Sequence, residues 1–204
     1  MAVGRTGGTG AERRPSCADG VSLVEIVLAL AIVMALSAIG VPALIHVADA
    51  KRTRDASSFI AGQFRLARQR AVMTGRYVAV VFDDVAGEVG WRTCLDGDRD
   101  GVSRSDIASG TDRCEAAAEA VSLRFPSVRV QYLPGVPGPD GDVNPAPLRF
   151  GASAMAAFSP SGTSSSGTVA LRGAGTAQFA VRVAGVTGRT RVLEFDPGRR
   201  AWVE

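Results

Sequence analysis

The chain of 204 residues is poor in the side chains from which catalytic sites are built. It contains one histidine, His46, and three cysteines, and aromatic residues make up only 6% of the sequence. We find no glycine-rich phosphate loop, no zinc-spaced set of Cys and His, and no nucleophile-bearing turn motif. Catalysis needs such groups to converge on one site. We therefore expect a non-enzymatic protein that requires no cofactor.

The chain has little net charge, but its charges are unevenly distributed. The formal net charge is +3, yet residues 51–76 carry seven basic side chains against one acid, and residues 83–119 carry ten acids against four arginines. The last third of the chain is basic again. Such asymmetry bears on surfaces and partners rather than on the fold.

One long apolar run is present, from Ile26 to Ile45, and it contains no charged residue. As a helix, this run would span about 30 Å, the thickness of the hydrocarbon core of a bilayer. The apolar region of a signal peptide is shorter, about 7–15 residues. We predict a transmembrane helix over residues 21–45, with the arginine-bearing residues 1–20 on the cytoplasmic side.

Glu25 stands immediately before this run. A carboxylate that enters a membrane segment is costly and therefore indicates a functional site. An alternative interpretation of the segment is a conventional cleaved signal peptide, for which Ala35-Leu36-Ser37-Ala38 would supply the small residues at the cleavage site.

The residues that follow the apolar run have the spacing of an amphipathic helix. We predict this stalk helix over residues 46–75, so that a single helix extends from about Ser22 to Thr74. Pro42 removes a backbone donor and should kink the helix nearby, or alternatively end it there. The apolar stripe consists of Ala56, Phe59, Ile60, Phe64, Ala67 and Ala71.

Residues 76–204 are predicted to form a β-rich head. Short apolar runs between turn residues indicate strands, and residues 134–147 form a loop rich in proline and glycine. The fold class is therefore α+β, with a long N-terminal helix packed on a C-terminal antiparallel sheet. The predicted strands are residues 77–82, 89–93, 121–125, 128–133, 168–172, 178–183 and 189–195.

The segment Gly20-Val21-Ser22-Leu23-Val24-Glu25, followed by the apolar run, resembles the class III signal of type IV pilins and pseudopilins. The family pattern has Phe where this chain has Val21. The resemblance implies cleavage after Gly20 by a prepilin peptidase and N-methylation of Val21. It also implies that Glu25 is an assembly contact for the N-terminal amine of a neighbouring subunit, because a carboxylate in an apolar bundle needs a cationic partner.

Several short segments from the end of the stalk helix to near the C-terminus form a recognisable series: Ala67-Arg68-Gln69-Arg70-Ala71, Val78-Ala79-Val80-Val81, Trp91, Asp96-Gly97-Asp98-Arg99-Asp100-Gly101, Phe158-Ser159-Pro160-Ser161-Gly162, Gly167-Thr168-Val169-Ala170-Leu171 and Gly188-Arg189-Thr190-Arg191. In their order and spacing, these segments resemble the GspH/FimT type of minor pilin subunit, which implies a type IV pilin-like fold. The resemblance implies a minor pseudopilin of the type II secretion system, held in the inner membrane by one helix, with a periplasmic head and with other pseudopilins or pilins as partners. The alternative is a minor type IV pilin that binds DNA for uptake.

The cysteine count agrees with cleavage after Gly20. Cys17 would leave with the leader, and Cys94 and Cys114 would remain on the oxidising side of the membrane. We predict a disulfide between them, with two buried free thiols as the alternative.

An acidic loop lies between these two cysteines and resembles the first half of an EF-hand calcium loop. Asp96, Asp98 and Asp100 alternate along the loop, and the carbonyl of Val102 would be a further ligand. Position twelve is isoleucine rather than glutamate, and Asp106 falls one residue early. We predict a calcium site from these five residues, with an Asp/Gly hairpin turn as the alternative.

In the type IV pilus branch of the family, a Gly-Arg-x-Arg segment near the C-terminus is associated with DNA binding. Arg189 and Arg191 match this segment and alternate along a predicted strand, so that they share one face. With Arg182, Arg199 or Arg200 nearby, they would neutralise phosphates. The alternative is a hairpin turn at Gly188 followed by a solvated strand face.

Overall fold

The computed structural model describes residues 20–204, without the side chains of residues 39–43. Its α+β architecture, with an N-terminal helix packed on antiparallel sheets, confirms the predicted class. The elements are α1 (Leu23–Thr74), β1 (Val78–Val85), β2 (Glu88–Leu95), α2 (Arg104–Ser109), β3 (Arg113–Cys114), β4 (Glu119–Ala120), α3 (Val121–Arg124), β5 (Leu148–Arg149), β6 (Met155–Phe158), β7 (Gly167–Arg172), β8 (Gln178–Ala184), β9 (Arg189–Asp196) and β10 (Ala201–Val203).

The described part of the chain divides into two compact units, with the boundary between residues 42 and 43. In the described part of the first unit, the apolar side chains of α1 are exposed, for example Leu23 at 78% and Leu36 at 67%. Within residues 20–204, the structure contains no helix with the length and apolar character needed to cross a bilayer. Most of the predicted leader lies outside the described residues. The helix α1 continues through the position of the predicted kink, Pro42, whose side chain is not described.

In the second unit, the predicted apolar stripe of α1 is buried against the sheets. Phe64 is fully buried and lies at the centre of the core. Its ring centroid is 6.2 Å from Phe82, 5.7 Å from Phe150 and 6.2 Å from Phe158. Aromatic rings at these separations add to the stabilisation from apolar burial. The core therefore joins the helix to three separate parts of the head.

The first sheet has the strand order β3-β2-β1-β6, with β4 also paired to β2. Its central strand β1 is buried on both faces, which explains its continuous apolar run. Val80 and Phe82 face the main core, whereas Ala79 and Val81 face a second apolar cluster with Cys94. The residues around α2 cover this second cluster.

The second sheet has the strand order β10-β9-β8-β7-β5, and each of its described pairs is antiparallel. Side chains alternate across a strand. Leu171, Val181 and Val183 lie in the main core, whereas Arg182 lies on the opposite face of β8. Arg182 pairs with Arg191 of β9 in the strand register.

Two of the predicted strands are wrong. Residues 121–125 contain the helical turn α3, and residues 128–133 contribute only an isolated bridge between Arg129 and Arg172. Val121 and Val128 are both buried in the core, so these apolar residues fill space without extending a sheet. The pattern of apolar residues in such a short segment does not show whether the segment forms a strand or a buried helical turn. The strand β6 was not predicted from the sequence, and its two alanines have low strand propensity.

Candidate functional site

The acidic loop begins and ends at a disulfide-linked pair of strands. Cys94 and Cys114 form a disulfide and occupy opposite positions in the β2–β3 pair, followed by Leu95 opposite Arg113. Continuing this antiparallel register by one position places Asp96 opposite Asp112. The two ends of the loop thus bring two carboxylates together.

Asp96 is almost fully buried, with 1% of its surface exposed. Its Oδ1 accepts hydrogen bonds from the backbone amides of Asp98, at 3.1 Å, and Arg99, at 2.6 Å. Its Oδ2 is buried and has no hydrogen-bond partner among the described residues. A buried carboxylate oxygen without a partner is costly and requires an explanation.

Asp112 is also buried, and it holds the far side of the loop in place. Its Oδ1 accepts from the amide of Gly97 at 3.0 Å, and its Oδ2 accepts from the amide of Ser103 at 2.9 Å. At Gly97, a Cβ atom would collide with the carbonyl oxygen of Thr111. Glycine is therefore required for this close approach.

One carboxylate oxygen from each of Asp96, Asp98 and Asp112 lies within 4.8 Å of the other two, so that these residues form a group that could hold a metal ion. We call this group the aspartate triad. Two of its members belong to the predicted ligand set. Asp112 was not predicted, because it lies outside the consecutive loop motif. The signal that could have found it is its position opposite Asp96 in the disulfide-paired register.

The other predicted ligands have different surroundings. The side chain of Val102 packs against the second apolar cluster. Asp106 lies in the first turn of α2, where its amide donates to Ser103 Oγ at 3.1 Å in an N-cap. Asp100 is exposed, and a hydrogen bond and repulsion from the neighbouring carboxylate of Asp98 raise the pKa of its carboxyl group.

One arginine lies beside the acidic loop but bonds to its backbone. Arg76 Nη1 donates to the carbonyl oxygens of Asp96, at 3.4 Å, and Gly97, at 3.2 Å. This cation therefore contributes positive charge near the aspartate triad without satisfying the free Oδ2 of Asp96.

A second candidate site lies on the outer face of the second sheet. The strand register places Arg149 of β5, Thr168 of β7, Arg182 of β8 and Arg191 of β9 in one row across the sheet. Arg189 lies two residues before Arg191 on β9 and therefore shares its face. We call the surface formed by the four arginines the arginine face. Arg182, Arg189 and Arg191 line a shallow groove of about 400 Å³. The side chains of Arg189 and Arg191 are 63% and 48% exposed. The face brings the two predicted arginines together with Arg182.

Carboxylates already partly neutralise the arginine face. Asp140 lies 2.6 Å from Arg182, and Glu204 lies 3.9 Å from Arg189 and 3.5 Å from Arg191. Exposed ion pairs of this kind contribute little stability. A phosphate group would compete with them for the guanidinium groups.

The glycine of the Gly-Arg-x-Arg segment has a packing role. Gly188 has φ +61, and a Cβ atom there would lie 2.5 Å from the carbonyl oxygen of Gly162 and 2.7 Å from Arg68 Nε. Arg68 Nε in turn donates to that carbonyl oxygen at 2.9 Å. This contact therefore joins three of the sequence motifs: the one in α1 through Arg68, the one in the loop before β7 through Gly162, and the one in the turn before β9 through Gly188.

A further polar contact between α1 and the head was not predicted from the sequence. Asp49 is buried, and its two carboxylate oxygens accept from the amides of Ala174 and Gly175, each at 2.9 Å. At Gly173, a Cβ atom would lie 2.5 Å from the hydroxyl of Thr53. Asp49 therefore fixes the β7–β8 turn to the helix.

At the N-terminal end, the described residues Gly20 and Val21 are exposed and precede α1. The helix is established by Leu23, and the amide of Ile26 donates to the carbonyl of Ser22 at 3.2 Å. Glu25 lies exposed in the first turn, where the helix dipole favours a negative charge.

Comparisons of the chain with protein-family models, with curated proteins and with solved structures give no match.

Proposed function

We propose that the chain is a minor pseudopilin of the type II secretion system, a structural subunit processed by a prepilin peptidase and assembled into or at the tip of a pseudopilus. The order of features along α1 carries the proposal. The segment from Gly20 to Glu25 is followed by a helical stretch whose apolar side chains are exposed, and then by a stretch whose apolar stripe is buried in the head. An exposed apolar helix face needs a partner surface of lipid or protein.

The proposed assembly step depends on Glu25. Cleavage after Gly20 would create a new amine on Val21, which is then methylated. In an apolar helix bundle, the carboxylate of Glu25 would pair with such an amine from a neighbouring subunit, since an unpaired charge there is strongly unfavourable. The subunit would be held in the inner membrane by this helix, with its head in the periplasm.

The test of this proposal uses Glu25→Ala and Glu25→Leu in cells that carry the complete secretion machinery. Both variants should be cleaved normally but should cross-link poorly to the other pseudopilins. Asp55→Ala, which removes an exposed acid from the same helix, is the matched control and should assemble normally. Normal cross-linking of both Glu25 variants would contradict the proposal.

A second candidate function is a minor type IV pilin that binds DNA for uptake, and the arginine face favours it. Four guanidinium groups on one sheet face, three of them along one groove, suit the repeating phosphates of DNA. Arginine binds phosphate through a planar fork of donors. The partner would then be DNA, bound largely through its backbone.

A gel-shift experiment over a salt series tests this second function. Replacing Arg189 and Arg191 with alanine should weaken binding and reduce the slope of log K against log salt by about 2, since each lost phosphate contact contributes about 0.9. Arg65→Ala, on the exposed side of α1, is a control for loss of positive charge. The absence of binding at low salt, or equal weakening by Arg65→Ala, would contradict DNA recognition by the arginine face.

A further inference from the structure

We propose that the aspartate triad, Asp96, Asp98 and Asp112, binds a hard divalent cation and that calcium is the preferred ion. This inference concerns the head and does not depend on which filament the chain joins. The proposed ligand set differs from that of a consecutive EF-hand-like loop, because Asp112 comes from the far end of the acidic loop, immediately before β3.

The first observation is the free oxygen of Asp96. This carboxylate is 1% exposed, and its Oδ2 has no hydrogen-bond partner among the residues that the structure describes. One of the carboxylate oxygens of Asp96 lies within 4.8 Å of one oxygen of Asp98 and one oxygen of Asp112. A cation bound among the three would satisfy the free oxygen and reduce their mutual repulsion.

The second observation is that the fold, rather than a flexible turn, holds the buried carboxylates in place. Asp96 comes directly after Leu95 and Asp112 directly before Arg113, and these two neighbours form the pair next to the disulfide-linked cysteines in the β2–β3 register. Amides of Gly97 and Ser103 fix both oxygens of Asp112, and amides of Asp98 and Arg99 fix Oδ1 of Asp96. Two of the three carboxylates are therefore preorganised before an ion arrives.

The chemistry of the donors selects the class of ion. All three ligands are carboxylate oxygens, which suit Ca²⁺, Mg²⁺ and Mn²⁺ rather than metals that prefer sulfur or imidazole. Asp98 is exposed, so that water could complete the coordination shell on that side. Calcium tolerates the irregular geometry of a loop, whereas magnesium requires near-octahedral ligands and releases its water reluctantly. Calcium sites of extracellular modules have dissociation constants of about 10⁻⁴–10⁻³ M, and we expect a value in this range.

The test is calorimetric titration of the full chain, purified in detergent, with calcium chloride alone. The wild-type chain should bind one ion, and magnesium at the same concentration should bind more weakly. Asp112→Asn and Asp98→Asn should each weaken calcium binding by about tenfold or more, since each removes a charged ligand. No saturable heat at calcium concentrations about tenfold above the expected range would overturn the proposal.

Asp100→Asn is the matched control, because it removes an acid from the same loop but not from the triad. It should change the affinity by less than about threefold. A loss as large as that of Asp112→Asn would indicate a consecutive loop site and overturn the assigned ligands. Asp112→Asn also removes an acceptor for a backbone amide, so its folding must be checked by circular dichroism. Asp98→Asn alters an exposed side chain, and unchanged calcium affinity in this folded variant would by itself overturn the proposal.

Discussion

Asp96 and Asp112 lie two positions beyond the Cys94–Cys114 disulfide, where the two segments that leave the β2–β3 pair enter the acidic loop. Both carboxylate oxygens of Asp112 accept hydrogen bonds from backbone amides, whereas the buried Oδ2 of Asp96 has no partner among the described residues. The disulfide, the register and the aspartate triad therefore form one structural unit. Its components are separated by up to 20 residues in sequence.

Removal of the disulfide should destabilise the head. The bridge closes a loop with a sequence separation of 20, and the chain-entropy model assigns such a loop a contribution of about 3 kcal/mol. We expect the double variant Cys94→Ser, Cys114→Ser to lose about this much free energy of unfolding in a denaturant titration. Cys17→Ser removes a thiol without affecting the bridge and should have no effect. An unchanged unfolding midpoint in the double variant would show that the bridge does not stabilise the head.

Gly188→Ala should destabilise the contact between α1 and the β8–β9 turn. The new Cβ atom would meet the carbonyl oxygen of Gly162 and the side chain of Arg68, at a positive φ that suits glycine. We expect a loss of about 1–3 kcal/mol in the free energy of unfolding.

The matched control for Gly188 is Gly62→Ala. Gly62 lies inside α1 with open space around its Cα atom, so alanine should stabilise the helix by up to about 1 kcal/mol. Thermal unfolding of both variants measures the two effects. Equal stability of the two variants would contradict the packing role of Gly188.

Tyr132 should make the stability of the head depend on alkaline pH. Burial raises the pKa of its phenol from 10.0 to about 12, with Asp140 and Asp142 contributing in the same direction and Arg149 opposing them. Between pH 10.0 and about 12, the unfolded chain releases this proton while the folded chain retains it. Stabilisation by the neutral phenol is therefore complete below pH 10.0 and is lost as the pH rises toward 12.

Ultraviolet absorbance of the phenolate in a Tyr77→Phe background isolates this titration, since the chain has two tyrosines. The midpoint should lie near 12, and Tyr132→Phe should abolish the corresponding pH dependence of unfolding. A midpoint near 10.0 would show that Tyr132 is solvated in solution.

The parts of the fold that depend on local periodicity could be predicted from the sequence. The apolar stripe around Phe64 and the alternating or continuous apolar runs of β1, β7, β8 and β9 were all recognisable. The helical turn at Val121 and the strand β6 were not, because four-residue segments take their conformation from the surrounding core rather than from their own pattern.

In the candidate sites too, some residues could be predicted from the local sequence and others could not. The consecutive motif predicted Asp96 and Asp98, but Asp112 joins them through strand pairing across the loop, which a linear motif does not encode. Asp49 likewise acquires its role from amides 125 and 126 residues further along the chain. Tertiary contacts of this kind follow only from the assembled fold.

The central claim, that the chain is a processed pilin-like subunit, is tested most directly by the N-terminus of the protein in cells. Intact mass analysis and N-terminal sequencing should be done in a host with a prepilin peptidase and in the same host without it. We predict a chain that begins at a methylated Val21 in the first host and retains its leader in the second. A chain that begins after Ala38, or an uncleaved chain in the host that has the peptidase, would contradict the account.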